Sequence, residues 1–198
     1  MPRPLPRGVR LIAGRLALDF ANSARLESVL SWEHLINFLE SSHVVTPERA
    51  GKLLLLPDSD PNAAGSLLQK AVLFAVSFRK CLLALLAKQR LFPEWIVPIN
   101  QILRITEGHD ELVLVGNTGR IEFIAREGGL EWLLAAIARS AAELIAEGPK
   151  ARLRICANRE CGYFFYDDSR THQRRWCSMA VCGNRSKVAG YARRHTRR

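Results

Sequence analysis

The stretch "CANRECGYFFYDDSRTHQRRWCSMAVCGNR", residues 156–185, decides the fold of the C-terminal part of this 198-residue chain. It contains two cysteine pairs of equal spacing, Cys156-x4-Cys161 and Cys177-x4-Cys182, which fifteen residues separate. Two close thiol pairs, joined by a segment long enough to turn the chain back, can hold a metal ion from two sides. The spacing therefore predicts that these four cysteines bind one structural Zn²⁺ ion.

The residues around each pair predict the local structure of this site. The strand-like runs "LRI" and "YFFYD" flank the first pair, which places Cys156 and Cys161 at the tip of a β-hairpin. The second pair precedes "NRSKVAGYARRHTRR", a helical segment for which Asn184 is a suitable N-cap. A hairpin followed by a helix is typical of a treble-clef-like zinc finger. Structural or redox-active thiols are the alternative, and His172 is a further potential ligand, although four thiols already complete the shell.

The positive charge of the chain is concentrated in the same region. Residues 151–198 carry twelve Lys and Arg against three acidic residues, a net charge of +9, whereas residues 1–150 carry a net charge of +1. Such segregation indicates a module that binds a polyanion. The candidate nucleic-acid contacts are the basic residues near and beyond the second cysteine pair: Arg174, Arg175, Arg185, Lys187, Arg193, Arg194, Arg197 and Arg198.

A helical projection from Lys187 divides the terminal helix into two sides. One arc is expected to pack on the hairpin and the zinc site, and it contains Val188, Tyr191, Ala192 and His195. Arg185 projects to the edge of this arc, so a supporting role for the zinc site and a contact with nucleic acid both stay open for it. A solvated helix end is the alternative for the whole basic side, since cations also suit a helix C-terminus.

The first 150 residues contain mainly helical patterns. Ser31, Thr46 with Pro47, and Asp60 with Pro61 are helix starts, and the third helix is expected to run to about Arg90. The runs "ELVLVG" and "RIEFIA" predict a β-hairpin whose turn "NTG" uses a positive φ at Gly119. A last helix ends at Gly148 and Pro149.

These patterns predict an α+β protein of two domains. A mainly helical N-terminal domain with a small β-hairpin covers residues 1–150, and the zinc finger covers residues 151–198. The hydrophobic content of 48% is sufficient for a core.

The segment "GRLALDFANS", residues 14–23, places polar side chains among apolar ones, and Leu16–Phe20 is expected to be strand-like or at least buried. We consider the hypothesis that Arg15, Asp19 and Asn22 line a ligand pocket of a sensor domain. The alternative is that Asp19 caps a helix or pairs with a core arginine, because a buried carboxylate is costly without a partner.

The block "RRWCSMAVCGNR" resembles the CGNR zinc finger, and "GRLALDFANS" with "ARSAAELIAEG" resembles the ABATE-type domain that precedes this finger in bacterial proteins. The resemblance implies a stress-induced transcription regulator with an N-terminal regulatory domain and a zinc-dependent DNA-binding module. In that family the positions that match Cys156, Cys161, Cys177 and Cys182 bind zinc.

DNA is therefore the expected partner and RNA the alternative. The longest strongly apolar stretch, "CLLALLA", is too short to cross a bilayer, so we expect a soluble cytoplasmic protein without a membrane partner. Cys81, within that stretch, is expected in the core. A nucleophile elbow, a phosphate loop and a paired His/carboxylate motif are missing from the sequence, so an enzyme is not expected. The sequence leaves open whether the protein is a homodimer and whether it binds a small-molecule effector.

Overall fold

The computed structural model describes residues 11–26, 30–105, 108–115, 118–125 and 129–195. In these ranges the structure confirms the α+β class. Seven α-helices and a β-hairpin are followed by a pair of short strands and a terminal helix. The elements in chain order are α1 (Leu16–Leu26), α2 (Trp32–Ser41), α3 (Pro47–Leu54), α4 (Leu56–Ser59), α5 (Pro61–Leu86), α6 (Pro93–Ile105), β1 (Gly108–Val115), β2 (Thr118–Ala125), α7 (Trp132–Glu147), β3 (Leu153–Ile155), β4 (Phe164–Tyr166) and α8 (Asn184–His195).

Three helices begin at the capping residues that the sequence predicts. In each case the cap accepts a hydrogen bond from the backbone N–H three residues later: Ser31 from His34 at 3.1 Å, Thr46 from Arg49 at 3.3 Å and Asp60 from Ala63 at 2.9 Å. Each bond satisfies one of the N–H groups that a helix start leaves without an intrahelical partner. The last of these three helices, α5, ends at Leu86, before the predicted end near Arg90.

Aromatic side chains from three helices meet in the core. Phe20 of α1 lies 5.2 Å from Phe38 of α2 and 5.9 Å from Phe74 of α5, measured between ring centroids. The strand-like alternative for Leu16–Phe20 is wrong, because these residues belong to α1. The expected burial is confirmed for Ala17, Leu18 and Phe20, which are completely buried. Helix α1 contacts α5, α7 and β4, so apolar residues are buried on several of its sides. Because most positions of this short run are apolar, its sequence does not show the spacing of three to four residues that identifies a helix.

The predicted hairpin in the middle of the chain is confirmed by the antiparallel pairing of β1 and β2. Val115 pairs with Thr118, and Leu114 pairs with Gly119. Gly119 thus lies in strand β2 and not in the turn where the sequence placed it. Asn117, the first residue of the predicted "NTG" turn, lies outside the described residues.

The C-terminal module, residues 151–198, begins after the end of α7. Gly148 follows the helix with φ of 56°, a backbone conformation in which glycine lacks the steric penalty of other residues. Strands β3 and β4 then pair antiparallel, with Ile155 opposite Phe164. Cys156 and Cys161 lie between these strands, as the sequence predicts.

The outer edge of β4, the edge that faces away from β3, is paired by residues from the helical region. The side-chain amide of Asn22 donates to the Phe164 carbonyl at 2.8 Å and accepts from the Phe164 N–H at 2.9 Å. The Tyr166 N–H donates to the Ala13 carbonyl at 2.7 Å. Asn22 is 1% exposed, so these bonds form in a buried junction.

Residues 11–14, which we call the N-terminal strap, are held by α1. The N–H groups of Ile12 and Ala13 both donate to Oδ1 of Asp19, at 2.8 and 2.9 Å. Burial of this carboxyl group raises its pKa to about 6, although the two backbone hydrogen bonds oppose the shift. Asp19 thus binds backbone groups, where the sequence suggested a helix cap or an arginine partner.

The hydrophobic core continues across residue 150. Phe164 and Phe165 of β4 are completely buried and belong to the same cluster as Phe20 and Phe74. The guanidinium carbon of Arg79 in α5 lies 4.7 Å from the centroid of the Phe164 ring. The division into two domains at residue 150 stays a prediction, and the packing between the two parts is extensive.

A search of the described helices found none with the length and apolar character needed to span a membrane.

The raised pKa of Asp19 predicts a pH-dependent contribution to stability. The folded state binds this proton more tightly than the unfolded chain, so the contribution is complete below about pH 4 and is lost as the pH rises through about 6. A shift of this size corresponds to roughly 3 kcal/mol at most. Asp19→Asn keeps an oxygen acceptor without a charge, and we expect it to be more stable than the parent at pH 8.

The measurement is urea unfolding of both proteins between pH 5 and pH 8. The stability difference between Asp19→Asn and the parent should shrink as the pH falls, and taking the difference cancels the titration of other groups. A difference that does not change with pH would contradict the assignment.

The junction predicts a large effect for Asn22→Ala. The substitution leaves the buried N–H and carbonyl of Phe164 without the amide partner, and we expect a loss of about 2–5 kcal/mol in the free energy of unfolding. Asn62→Ala, at an exposed position in the first turn of α5, is the matched control and should change stability little. If thermal or urea unfolding shows that Asn22→Ala changes stability as little as Asn62→Ala, the junction contributes little.

Candidate metal centre

The four cysteines of the C-terminal module converge on one point. Their Sγ atoms all lie within 4.8 Å of one another. The Sγ of Cys177 is 3.6 Å from that of Cys161 and 3.7 Å from that of Cys182. Zn–S bonds of about 2.3 Å at tetrahedral angles place sulfur atoms ~3.8 Å apart, so the arrangement fits Zn²⁺. No disulfide joins any of the five cysteines, all of which the structure describes.

A tight turn between β3 and β4 positions the first pair. The Cys156 N–H donates to the Tyr163 carbonyl at 2.8 Å and so continues the ladder of the two strands. The Asn158 carbonyl accepts from the Cys161 N–H at 2.9 Å, and the Asn158 side chain accepts from the Glu160 N–H at 3.2 Å. This turn brings both thiols to the same side of the hairpin.

A wide helical turn, Met179–Gly183, positions the second pair. The Ser178 side chain accepts from the Val181 N–H, and the Ser178 carbonyl accepts from the N–H groups of Cys182 and Gly183, each at 3.0 Å. Ser178 therefore caps this turn, and the prediction of Asn184 as N-cap is wrong, because Asn184 already has helical dihedral angles. The four-residue spacing places Cys177 before the cap and Cys182 within the turn.

Gly183 packs closely against the side chain of Met179 in this turn. A Cβ atom at this position would lie 2.7 Å from Sδ of Met179 and 3.4 Å from Cδ1 of Trp176. The first distance is shorter than van der Waals contact, so any side chain would displace Met179.

Metal binding must displace protons at this centre. Burial and the neighbouring Cys161 raise the pKa of the Cys177 thiol well above its ordinary value. Zn²⁺ binds thiolates, so its affinity is expected to depend on pH and its binding to release protons. Nδ2 of Asn158 lies 3.8 Å from Sγ of Cys182 and donates toward it. Asn158 is not among the residues predicted from the sequence, although its position two residues after a predicted ligand is a signal for an outer contact.

Cys81 and His172 lie apart from the thiol cluster. Cys81 is completely buried in α5, as predicted, and its burial raises the pKa of its thiol to about 11. His172 is exposed, and its Nδ1 lies 3.1 Å from Nη1 of Arg152.

Arg174, a predicted nucleic-acid contact, is engaged inside the protein. Its guanidinium donates to the carbonyls of Trp176 at 2.9 Å, Ile12 at 3.2 Å and Cys177, and it lies 4.8 Å from the centroid of the Phe165 ring. It thus holds the segment before Cys177 against the N-terminal strap. This geometry favours a structural role and makes Arg174 a poor candidate for a phosphate contact.

Three of the other predicted contacts, Arg175, Arg185 and Lys187, are exposed. Arg175 lies 5.4 Å from the Trp176 ring centroid, and Arg185 and Lys187 are in the first turn of α8. Arg185 is exposed, although the helical projection turned it toward the zinc site. Arg193 and Arg194 belong to α8, whereas Arg197 and Arg198 lie outside the described residues.

The predicted packing of α8 on the hairpin and the zinc site is wrong for Val188 and Tyr191, whereas the side chains of Ala192 and His195 lie outside the described residues. Val188 is 69% exposed and Tyr191 is 59% exposed. The main contact of α8 is with the turn Met179–Gly183 and not with the hairpin. The turn fixes the direction of the helix, and a projection of the helix alone contains no information on that direction.

Four further basic residues of the C-terminal module are exposed and were not among the predicted contacts: Arg152, Arg154, Arg159 and Arg170. Arg154 pairs with the buried carboxylate of Asp167 at 2.8 Å. The charge count of the module included these residues and was the signal that could have identified them.

The three residues of the predicted ligand pocket lie at the junction described above. Asp19 and Asn22 bind the strap and β4, and the guanidinium carbon of Arg15 lies 4.0 Å from the centroid of the Tyr166 ring. These contacts account for all three side chains, and the ligand-pocket hypothesis stays untested. A cavity of about 230 Å³ lies elsewhere, between α5 and α6, and is lined by Lys70, Leu73, Pro98, Gln101 and Ile102.

Comparison with known protein families gives two matches on separate parts of the chain. Residues 152–195 match the CGNR zinc finger, which includes all four clustered cysteines. Residues 14–148 match the ABATE family, described as "Putative stress-induced transcription regulator". A search of the curated proteins returned no match. The ABATE match covers more than half of the chain, and together with the thiol cluster it shows that this protein belongs to the ABATE family and carries a CGNR zinc finger with one structural zinc ion.

Proposed function

We propose that this protein is a transcription regulator that binds DNA through its C-terminal module. The observation that carries the proposal is the net charge of +9 on residues 151–198, attached to a framework fixed by the thiol cluster. One Zn²⁺ with four thiolates adds two negative charges, which leaves a formal charge of about +7 on the module. Exposed Lys and Arg bind phosphates and release condensed counterions.

The basic residues of the module that the structure shows to be exposed are Arg152, Arg154, Arg159, Arg170, Arg175, Arg185 and Lys187. We propose that Arg185 and Lys187 bind phosphates, because both are exposed in the first turn of α8. Arg154 contributes less, since Asp167 already neutralises it.

We further propose that α8 is the element that enters the major groove. Its main contact is with the turn before it, and Val188 and Tyr191 are more than half exposed. The major groove, about 12 Å wide, accepts one α-helix, and apolar side chains there contact thymine methyl groups. RNA is the alternative partner, because a basic surface of this kind also binds shaped or single-stranded RNA.

The description of the ABATE family supports a regulatory role for the helical region. We propose no catalytic role for the metal, because four thiolates complete a tetrahedral shell and leave no position for water or substrate. A response to stress and a bacterial cytoplasmic setting are part of this proposal.

The test is fluorescence anisotropy of the zinc-loaded full chain with a labelled DNA duplex of mixed sequence, over a range of salt concentrations. If five to seven phosphates are neutralised, log affinity should fall against log salt with a slope of roughly −4 to −6. Absence of binding at low salt would overturn the proposal. Competition with a structured RNA of equal length distinguishes DNA from RNA as the partner. Preferential displacement of the labelled duplex by the RNA would favour RNA.

Substitution of the two basic residues in the first turn of α8 completes this test. Arg185→Gln with Lys187→Gln should reduce the magnitude of the salt slope by about 2, because each substitution leaves one phosphate without its cationic partner. The matched control is Lys80→Gln with Arg90→Gln, which removes equal charge from exposed positions of the helical region. Equal reductions of the slope in both variants would indicate a dependence on net charge alone.

Removal of the metal should abolish nucleic-acid binding. The parent is expected to contain one zinc ion per chain, and Cys161→Ser should lose zinc, because three thiolates no longer complete the shell. Cys81→Ala is the control, since Cys81 lies outside the cluster, and it should retain both the zinc and the binding. Zinc content by elemental analysis and anisotropy check both statements, and full DNA binding by a zinc-free Cys161→Ser would contradict them.

A further inference from the structure

We propose that Arg152 and His172 form a phosphate-binding site beside strand β3, in addition to Arg185 and Lys187 of α8. The ligand is a phosphate group, and we assign it to the backbone of the nucleic acid. This inference rests on the DNA-binding function proposed above. The thiol cluster does not include His172, so the metal leaves this side chain available for another ligand.

The two side chains of the site contact each other at an exposed position. Arg152 directly precedes β3, and His172 lies in the loop after β4. Nη1 of Arg152 is 3.1 Å from Nδ1 of the ring and 3.3 Å from Nε2. A guanidinium group only donates, so in the neutral ring one nitrogen accepts from it and the other carries a hydrogen. The unused N–H groups of both side chains are donors for phosphate oxygens.

The charge of Arg152 is open to an external anion. The acidic groups whose charges act on it are Glu147 and Asp167. Both have other partners, because the Tyr166 hydroxyl donates to Glu147 at 2.7 Å and Asp167 pairs with Arg154 at 2.8 Å. Among the described residues, no carboxylate forms an ion pair with Arg152.

Neighbouring groups hold both side chains in place. The guanidinium carbon of Arg152 lies 5.3 Å from the centroid of the Tyr166 ring. The His172 N–H donates to the Ser169 carbonyl at 3.1 Å, and the Arg154 side chain donates to the His172 carbonyl. These contacts fix a φ of 52° at His172, a value that is uncommon outside glycine. A site ordered in advance loses little conformational freedom when it binds a ligand.

A buried carboxylate closes the loop that carries His172. Asp167 accepts from the Ser169 N–H at 3.2 Å, from the Ser169 hydroxyl at 2.5 Å and from the Arg174 N–H at 3.0 Å. Both ends of the loop therefore bind one buried group. Asp168, which is exposed beside this loop, pairs with Arg174 at 3.6 Å.

The surroundings of the site favour a nucleic-acid backbone over an isolated phosphate ion. Residues 169–175, "SRTHQRR", contain three arginines and no acidic residue, and Arg170 and Arg175 are exposed. The Arg175 carbonyl accepts from the Ala157 N–H at 2.9 Å, so the loop stays beside the segment 152–157. Phosphates recur along a nucleic-acid strand, and several exposed cations can bind them in succession.

The first test is anisotropy of the zinc-loaded full chain with the same labelled duplex. Arg152→Gln should reduce the magnitude of the salt slope by about 1, because one phosphate loses its cationic partner. Arg152→Lys keeps the charge and should keep the slope of the parent. The matched control is Arg90→Gln, which removes equal charge from an exposed position of the helical region and should also keep the slope.

The contribution of His172 is tested with His172→Asn. Asparagine tolerates the same positive φ, so the loop should keep its conformation. Loss of the ring N–H should weaken duplex binding about 3- to 10-fold, the effect of one hydrogen bond. Unchanged affinity of this variant would overturn the assignment of His172.

A second measurement uses the unsubstituted chain and does not depend on how the variants fold. Phenylglyoxal modifies exposed guanidinium groups, and mass spectrometry reports the extent of modification at each arginine. Bound duplex should protect Arg152 and leave Arg90 as reactive as in the free protein. Inorganic phosphate at the same ionic strength should protect Arg152 much less. Equal protection by the two would assign the site to free phosphate and overturn the assignment to nucleic acid.

The outcomes separate this site from the DNA-binding function itself. If the parent binds the duplex while Arg152 stays fully reactive, or if Arg152→Gln keeps the slope of the parent, the site is overturned and the DNA-binding proposal stands. Failure of the parent to bind the duplex would overturn the DNA-binding proposal and this inference with it.

Discussion

The outer edge of strand β4 is the constraint on which the rest of the structure depends. Strands β3 and β4 have three residues each, and an isolated two-stranded hairpin of this size is marginal in water. Asn22 and the Ala13 carbonyl supply the partners that a third strand would otherwise provide. The helical region thus completes the hairpin at its edge, while the thiol cluster fixes its tip.

The pairing of the β4 edge and the fixing of the hairpin tip together explain why polar groups that are costly to bury lie at the junction. Burial raises the pKa of Asp19 to about 6, so ionisation of this carboxyl group above that pH reduces the stability of the fold. The carboxyl group is retained in the structure as the acceptor for two N–H groups of the strap, which would otherwise lie without a partner. The same strap presents its Ile12 carbonyl to Arg174, so an acid in α1 and an arginine beside the zinc ligands position one segment.

The sequence predicted the features that depend on neighbours in the chain. The caps at Ser31, Thr46 and Asp60 and the four cysteines are local signals, because each acts within a few residues or through a repeated spacing. The features that it missed depend on distant partners. The role of Arg174 requires knowledge that residue 12 lies beside it, and the exposure of Val188 depends on the direction of α8, which the turn after Ser178 sets.

The two family matches cover separate segments of the chain, but the two segments do not pack as separate bodies. Phe164 and Phe165 are completely buried in the cluster that contains the helical core, and Phe164 is bound through its backbone to Asn22. The finger of this chain is therefore completed by an amide side chain and a strap from the preceding region, both hydrogen-bonded to β4. Asn22 binds β4, and Arg174 binds both the strap and the Cys177 carbonyl, so hydrogen bonds connect the helical region to the hairpin and to the second cysteine pair.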